Sequence, residues 1–267
     1  MKADIYIATR LAIRARFGTY IFWLVVALSS AVLLGATFSG RHPATIGLDI
    51  GLSFIRLSLP FLAALLLQEL ISREFERKLF LSSLTYPRAR AQFLIGRVLA
   101  VISLTFTALT VLSLLLAVLT HLISKEYVQS TPLDLGWNYF VTVIFIGLDL
   151  LVLLAVGTLL SITASTPSFV LIGTLGFMVA ARSFSPIIEL LTREPNLVKH
   201  SESYHSSLET LGYFLPDLAA LDVRMISLYG TWKFFPEDWI ARVTSSISYA
   251  LAIYAFAVFA IQRKKFL

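Results

Sequence analysis

Two ionisable residues of opposite charge, Arg56 and Asp149, stand inside long apolar stretches of this sequence. A charged side chain at the centre of a lone membrane helix costs about 2.5–3.5 kcal/mol, so such residues need a partner or polar surroundings. Each stands about ten residues from the outer end of its stretch, or about 15 Å of helix rise. Equal depth and opposite sign predict an ion pair, within one bundle or across a dimer interface. The alternative places Arg56 near the membrane surface and Asp149 in a wet cavity that touches substrate.

A short charged segment, "ISREFERKLFLSSLTYPRARAQFLIGR", separates two apolar runs, and we call residues 71–97 the island. It carries six positive and two negative charges. Its first half has the composition of a helix with a leucine-rich side, and Tyr86-Pro87 ends that helix because proline disfavours helical geometry in the residue before it. Its second half restarts as a helix. The pattern predicts a rigid projection that fits a groove on a partner; the alternative is an ordinary positively charged loop.

The composition places the chain in the membrane class. Of its 267 residues 57% are hydrophobic and only 14% are charged, whereas soluble domains carry about a quarter charged residues. The chain has no cysteine, which excludes disulfides and cysteine-ligated metals. Its net charge of +6 sits beside apolar runs, so it indicates a membrane surface and no nucleic-acid partner.

Six apolar segments approach or exceed the ~20 residues that a membrane-spanning helix needs. We place the spans at 17–38, 47–70, 98–123, 138–162, 167–188 and 244–262. The fifth is the weakest, because Arg182 and Pro186 interrupt it, and it predicts a short span or a re-entrant piece. We expect an interfacial helix in residues 1–16 and an outer loop with re-entrant or helical parts at 189–240. The predicted fold class is an all-α integral membrane protein with one domain, residues 1–267.

The distribution of Lys and Arg predicts the orientation. With the N-terminus inside, the inner segments hold thirteen Lys and Arg residues, and the short outer segments hold two. Cytoplasmic loops of membrane proteins carry the excess of positive charge. We therefore expect both termini and the island on the cytoplasmic side.

The island and the layout of the chain together resemble the permease subunits of type-2 ATP-binding-cassette exporters. That family has a Glu, a short leucine-rich helix, a Pro-Arg turn and a Gly with Arg or Lys opening the third span. The matching residues are Glu74, Leu79, Leu81, Leu84, Pro87, Arg88, Gly96 and Arg97. Most members have Gly-Thr where this chain has Arg77-Lys78. Six spans, an N-terminal interfacial helix and an outer re-entrant region are also typical, and "FLPDLAALDVRMISLYG" resembles the outer segment of one branch.

The resemblance implies a transporter subunit that binds no nucleotide or other cofactor and is not itself an enzyme. The sequence has no P-loop motif. Two cytosolic ATP-binding-cassette ATPase subunits, which hold ATP and Mg, would bind beneath two permease chains, a homo- or heterodimer in membrane lipid. The coupling helix between the second and third spans would transmit their motion through Glu74, Glu76, Arg77, Leu81, Leu84, Pro87 and Arg88. The expected location is a prokaryotic inner (cytoplasmic) membrane.

Other classes find less support in the residue types. The four histidines have no metal-binding spacing, and no nucleophile-elbow motif is present. Two alternatives stay open. One is a secondary transporter, which would have inverted repeats and broken helices. The other is a structural membrane subunit of an envelope machine without an ATPase partner.

Overall fold

The computed structural model describes residues 16–40, 42–73, 90–126, 133–164, 166–193 and 216–263, and every regular element in these ranges is helical. The elements in chain order are α1 (Phe17–Phe38), α2 (Pro43–Leu67), a π-helix (Gln68–Ser72), α3 (Arg90–Glu126), α4 (Trp137–Thr163), α5 (Pro167–Arg193), α6 (Arg224–Tyr229), a 3-10 helix (Trp232–Phe234) and α7 (Trp239–Arg263). The all-α class is confirmed for these residues.

Among the described residues, five helical stretches are long and apolar enough to cross a bilayer. They are Phe17–Phe38, Pro43–Ser72, Ala91–Lys125, Trp137–Thr163 and Trp239–Arg263. They correspond to the first four predicted spans and the sixth. The fifth predicted span is α5, whose described apolar part, Pro167–Ser183, is shorter than the other five.

The helices extend beyond the apolar segments that predicted them. α2 begins at Pro43 instead of residue 47, because proline fits the first turn of a helix, where its missing N–H has no helical partner to lose. α3 begins at Arg90 instead of residue 98. Residues 90–97 contain no proline, so the helix can start before the apolar run begins. α5 continues through Pro186 to Arg193, so Pro186 does not end the helix.

α2 and α4 form the centre of the bundle, and α1 and α7 lie at its edge. Among the most apolar 18 residues of each helical stretch, 56% are buried in Pro43–Ser72 and 67% in α4, against 11% in α1 and 22% in α7. Large apolar side chains on the edge helices are exposed, including Trp23 and Leu251 at 63% each. Leaving apolar surface in water costs about 25 cal/mol per Å². The edge helices are therefore suited to contact lipid.

The π-helix that continues α2 ends, and α3 begins, at one end of the bundle, which we call the proximal end. Here the hydroxyl of Tyr20 in α1 donates to Glu69 Oε1 in the π-helix at 3.4 Å. The opposite end, where α2 and α4 begin, is the distal end. There the backbone N–H of Asp134, just before α4, donates to the carbonyl of Ser227 in α6 at 3.3 Å.

Residues 216–230, which we call the distal segment, fold into the bundle at the distal end. Leu218, Leu221 and Ile226 are at most 2% exposed and belong to a hydrophobic cluster that includes residues of α4, α5 and α7. Gly230 follows the last residue of α6, and its φ of 61° is left-handed, a conformation that glycine adopts without a steric penalty. The distal segment is therefore part of the packed core and not a surface loop. The predicted interfacial helix, apart from Arg16, and residues 194–215 of the predicted outer loop lie outside the described residues.

Candidate functional site

The predicted coupling residues lie outside the described residues, which stop at Arg73 and resume at Arg90. They are Glu74, Glu76, Arg77, Leu81, Leu84, Pro87 and Arg88. The structure describes the helices on both sides of them. The π-helix that continues α2 ends at Ser72, α3 begins at Arg90, and α2 and α3 pack along each other.

The two charges predicted inside the spans, Arg56 and Asp149, lie next to each other within one chain. Arg56 Nε is 3.5 Å from Asp149 Oδ2, and the two side chains are 13% and 1% exposed. Because α2 starts at Pro43 and α4 at Trp137, both residues lie about 18–20 Å of helix rise from the starts of their helices. Their equal depth is what allows the two side chains to meet.

Arg182 of α5 belongs to the same site, and the sequence reasoning did not place it there. Its Nη2 is 2.5 Å from Asp149 Oδ2, which is closer than Arg56 is to that oxygen. The same Nη2 donates to the backbone carbonyl of Arg56 at 3.0 Å. Asp149 is therefore shared between two guanidinium groups.

Pro60 explains why that carbonyl accepts a side-chain hydrogen bond. In an α-helix the N–H of residue 60 would donate to the carbonyl of residue 56, but proline has no N–H. Pro60 is inside α2 and buried. Arg182 thus supplies the donor that Pro60 removes. The sequence signal for this acceptor is a proline four residues after an arginine inside an apolar stretch.

Arg56 also holds the distal segment. Its Nη2 donates to the carbonyl of Leu218 at 2.7 Å, and its Nη1 forms an ion pair with Asp222. Asp222 is 27% exposed, more than any other charged side chain that contacts Arg56. A single guanidinium group therefore joins α2 to both α4 and the distal segment.

Arg224, the first residue of α6, makes a second connection between the distal segment and α2. Its Nη1 is 3.0 Å from Asp49 Oδ1 and also donates to the hydroxyl of Ser53. Its Nε is 3.5 Å from Asp222 Oδ2. Neither Arg224 nor Asp222 was predicted as a site residue, because their position depends on how the distal segment folds back.

We call these six residues the distal charge cluster: Asp49, Arg56, Asp149, Arg182, Asp222 and Arg224. Three carboxylates balance three guanidinium groups, which offsets part of the cost of removing them from water. A cleft beside them has a volume of about 10 Å³, room for about one water molecule. Within the described part of the chain, no group of three or more His, Cys, Asp or Glu residues is arranged to hold a metal ion.

What this arrangement can do follows from the elements it joins. α2, α4, α5 and the distal segment each contribute a charged residue, so a change in their packing must break and re-form ion pairs. Such a network favours discrete packings over gradual deformation. No protein-family model and no curated protein matches this chain.

Proposed function

We propose that this chain is the membrane-spanning permease subunit of an ATP-driven exporter whose ATPase is a separate cytosolic chain. The observation that carries the proposal is the island, with its Glu74, leucine-rich stretch, Pro87-Arg88 turn and Gly96-Arg97. It joins α2 and α3, which pack along each other through the bundle. A force applied to the island would therefore reach both helices at once.

The six-span layout is part of the proposal, with α5 as the fifth span. Its described apolar part, Pro167–Ser183, would cover about 26 Å at 1.5 Å per residue, close to the ~30 Å of the hydrocarbon core. With the positive charges inside, both termini and the island face the cytoplasm of a prokaryotic cell. The distal segment then faces outward.

In this proposal, motion of the ATPase subunits is transmitted through the island and α2 to the distal charge cluster. ATP-driven closure of two ATPase subunits would push the island and move α2 against α4 and α5. That movement would strain the bonds of Arg56 to Leu218 and Asp222 and release the distal segment from the bundle. Nucleotide drives this change only if it binds one of the two packings more tightly than the other.

The test is assembly with a P-loop ATPase encoded in an adjacent reading frame. The chain is purified in detergent with that ATPase, and the ratio of the two polypeptides in the complex is measured by size-exclusion chromatography and mass determination. We expect a complex with two chains and two ATPase subunits. A chain that stays free of the ATPase at micromolar concentrations, with both proteins folded, would overturn the proposal.

One observation favours a secondary transporter as the second candidate. Asp149 is 1% exposed and lies within the bundle, and buried carboxylates in spans serve as proton relays in ion-driven transporters. The two candidates differ in their energy source. Proteoliposomes with the chain alone would carry out transport driven by a pH gradient, lost in Asp149→Asn, only if the second candidate is correct.

A further inference from the structure

The carboxylate of Asp222 occupies a position between two guanidinium groups. Arg56 Nη1 forms an ion pair with it, Arg224 Nε lies 3.5 Å from Oδ2, and the backbone N–H of Arg224 donates to Oδ1 at 3.4 Å. Proteins bind carboxylate and phosphate ligands with the same set of donors, arginine side chains and backbone N–H groups.

The charge balance shows what the site would be without Asp222. The nearest carboxylate to Arg182 is Asp149, at 2.5 Å, and Arg224 is 3.0 Å from Asp49. Of its contacts with carboxylates, Arg56 would keep only the 3.5 Å contact with Asp149, which Arg182 already shares. Three guanidinium groups would then face two carboxylates, so the cluster would carry a net charge of +1 and attract an anion.

Of the two carboxylates that contact Arg56, Asp222 is the better placed to leave. It is 27% exposed, whereas Asp149 lies on α4 and is 1% exposed. The cleft beside it is lined by polar residues that include Arg56, Arg224 and Ser53 and by apolar residues that include Leu52 and Ile146. A ligand with an anionic head and an alkyl chain would match both kinds of lining residue.

We propose that Asp222 stands in for the anionic group of a ligand, and that Arg56 and Arg224 bind the carboxylate or phosphate of an amphiphile when the Asp222 side chain turns out of the site. The proposal rests on the proposed transport function, for which it names the substrate class. In the closed packing Asp222 fills the site and keeps a bound amphiphile out. Displacement of Asp222 exchanges one anion for another and leaves the arginines paired.

The test measures binding of dodecyl phosphate to the purified chain in an uncharged maltoside detergent, with inorganic phosphate and dodecanol as the other probes. Asp222→Ala is expected to lower the dissociation constant of dodecyl phosphate at least tenfold, and Asp222→Asn to lower it less. Adding Arg56→Gln should remove the gain. Asp238→Asn is the matched control, because a hydrogen bond from Arg242 lowers the pKa of Asp238 at an exposed position outside the cluster.

Three outcomes would overturn the proposal. In the first, Asp222→Ala and Asp222→Asn, folded by circular dichroism, bind dodecyl phosphate no more tightly than the wild-type chain. In the second, dodecanol shows the same gain, which removes the anion from the recognition. In the third, inorganic phosphate shows the same gain, which makes the ligand a free anion. The assay needs no ATPase, so its failure leaves the proposed ATP coupling untouched, and a failure of that coupling leaves this binding result standing.

Discussion

The guanidinium group of Arg182 donates to the backbone carbonyl of Arg56 at 3.0 Å, the carbonyl that Pro60 leaves without its ordinary helical donor. The same guanidinium group forms an ion pair with Asp149. A break in the hydrogen bonding of one span is thus satisfied by a side chain from another. This exchange ties the local geometry of α2 to the position of α5.

The first prediction is a coupling between Pro60 and Arg182. Arg182→Gln should destabilise the chain by about 3 kcal/mol, because it leaves a buried carboxylate with a weaker partner. In a Pro60→Ala background the same change should cost about 1 kcal/mol less, since the introduced alanine has a backbone N–H that can donate to the carbonyl of Arg56. The measurement is SDS-induced unfolding in mixed micelles for the four members of the double-mutant cycle. Strictly additive losses would show that Arg182 does not substitute for the missing N–H.

The second prediction concerns charge exchange between Arg56 and Asp149. A simple pair would tolerate the swap, but here Asp149 also contacts Arg182. The double variant Arg56→Asp with Asp149→Arg should therefore remain as unstable as Asp149→Asn, because an arginine at position 149 would face Arg182. Thermal unfolding of the purified proteins checks the order of stability. Recovery of wild-type stability by the swap would mean that Arg182 is not part of the cluster.

The third prediction tests the close packing of α2 on α3. A methyl group at Gly51 would overlap the side chain of Leu116, which is fully buried, whereas one at Gly176 would meet nothing within 4 Å. Gly51→Ala should lower the free energy of unfolding by about 1–3 kcal/mol. Gly176→Ala, the matched control, should leave it unchanged or raise it by up to about 1 kcal/mol through helix propensity. Equal effects in the two variants would contradict the packing of these helices.

The fourth prediction is the orientation of the chain. The sequence has no cysteine, so single cysteines can be labelled without background. Ser82→Cys in the island should react with a membrane-impermeant maleimide only in inverted vesicles, and Ser206→Cys only in intact spheroplasts. Labelling of Ser82→Cys from outside would place the island on the wrong side for a cytosolic ATPase.

The sequence predicted those features of the fold that depend on local composition. Apolar length was enough to find α1 to α4 and α7, because a helix that faces lipid must be apolar over its whole span. The depth of Arg56 and Asp149 along their helices could also be predicted from the sequence, because helix rise converts residue number into distance. The contact between these two residues is the one part of the candidate site that the sequence pointed to.

The rest of the site depends on contacts between distant parts of the chain. Arg182 and the carbonyl of Arg56 are 126 residues apart, and Arg56 and Leu218 are 162 apart. The hydrophobic periodicity of one helix does not predict the packing angle of the next helix. Nor does it predict whether a later segment of the chain packs into the bundle. In the sequence Arg182 interrupts the apolar run of the fifth span, whereas in the structure its guanidinium group joins that span to α2 and α4.

The most direct test of the account is the rate of ATP hydrolysis by the partner ATPase in complex with this chain in nanodiscs. We compare the wild-type chain with Glu74→Arg, Arg77→Glu and an insertion of two glycines after Pro87, with Arg263→Glu at the proximal end of α7 as the control. We expect the chain to change the hydrolysis rate several-fold and the island variants to return that rate towards the rate of the ATPase alone. Arg263→Glu should behave as the wild-type chain does. Unaltered hydrolysis in all the island variants, with the chain folded and bound, would contradict the account.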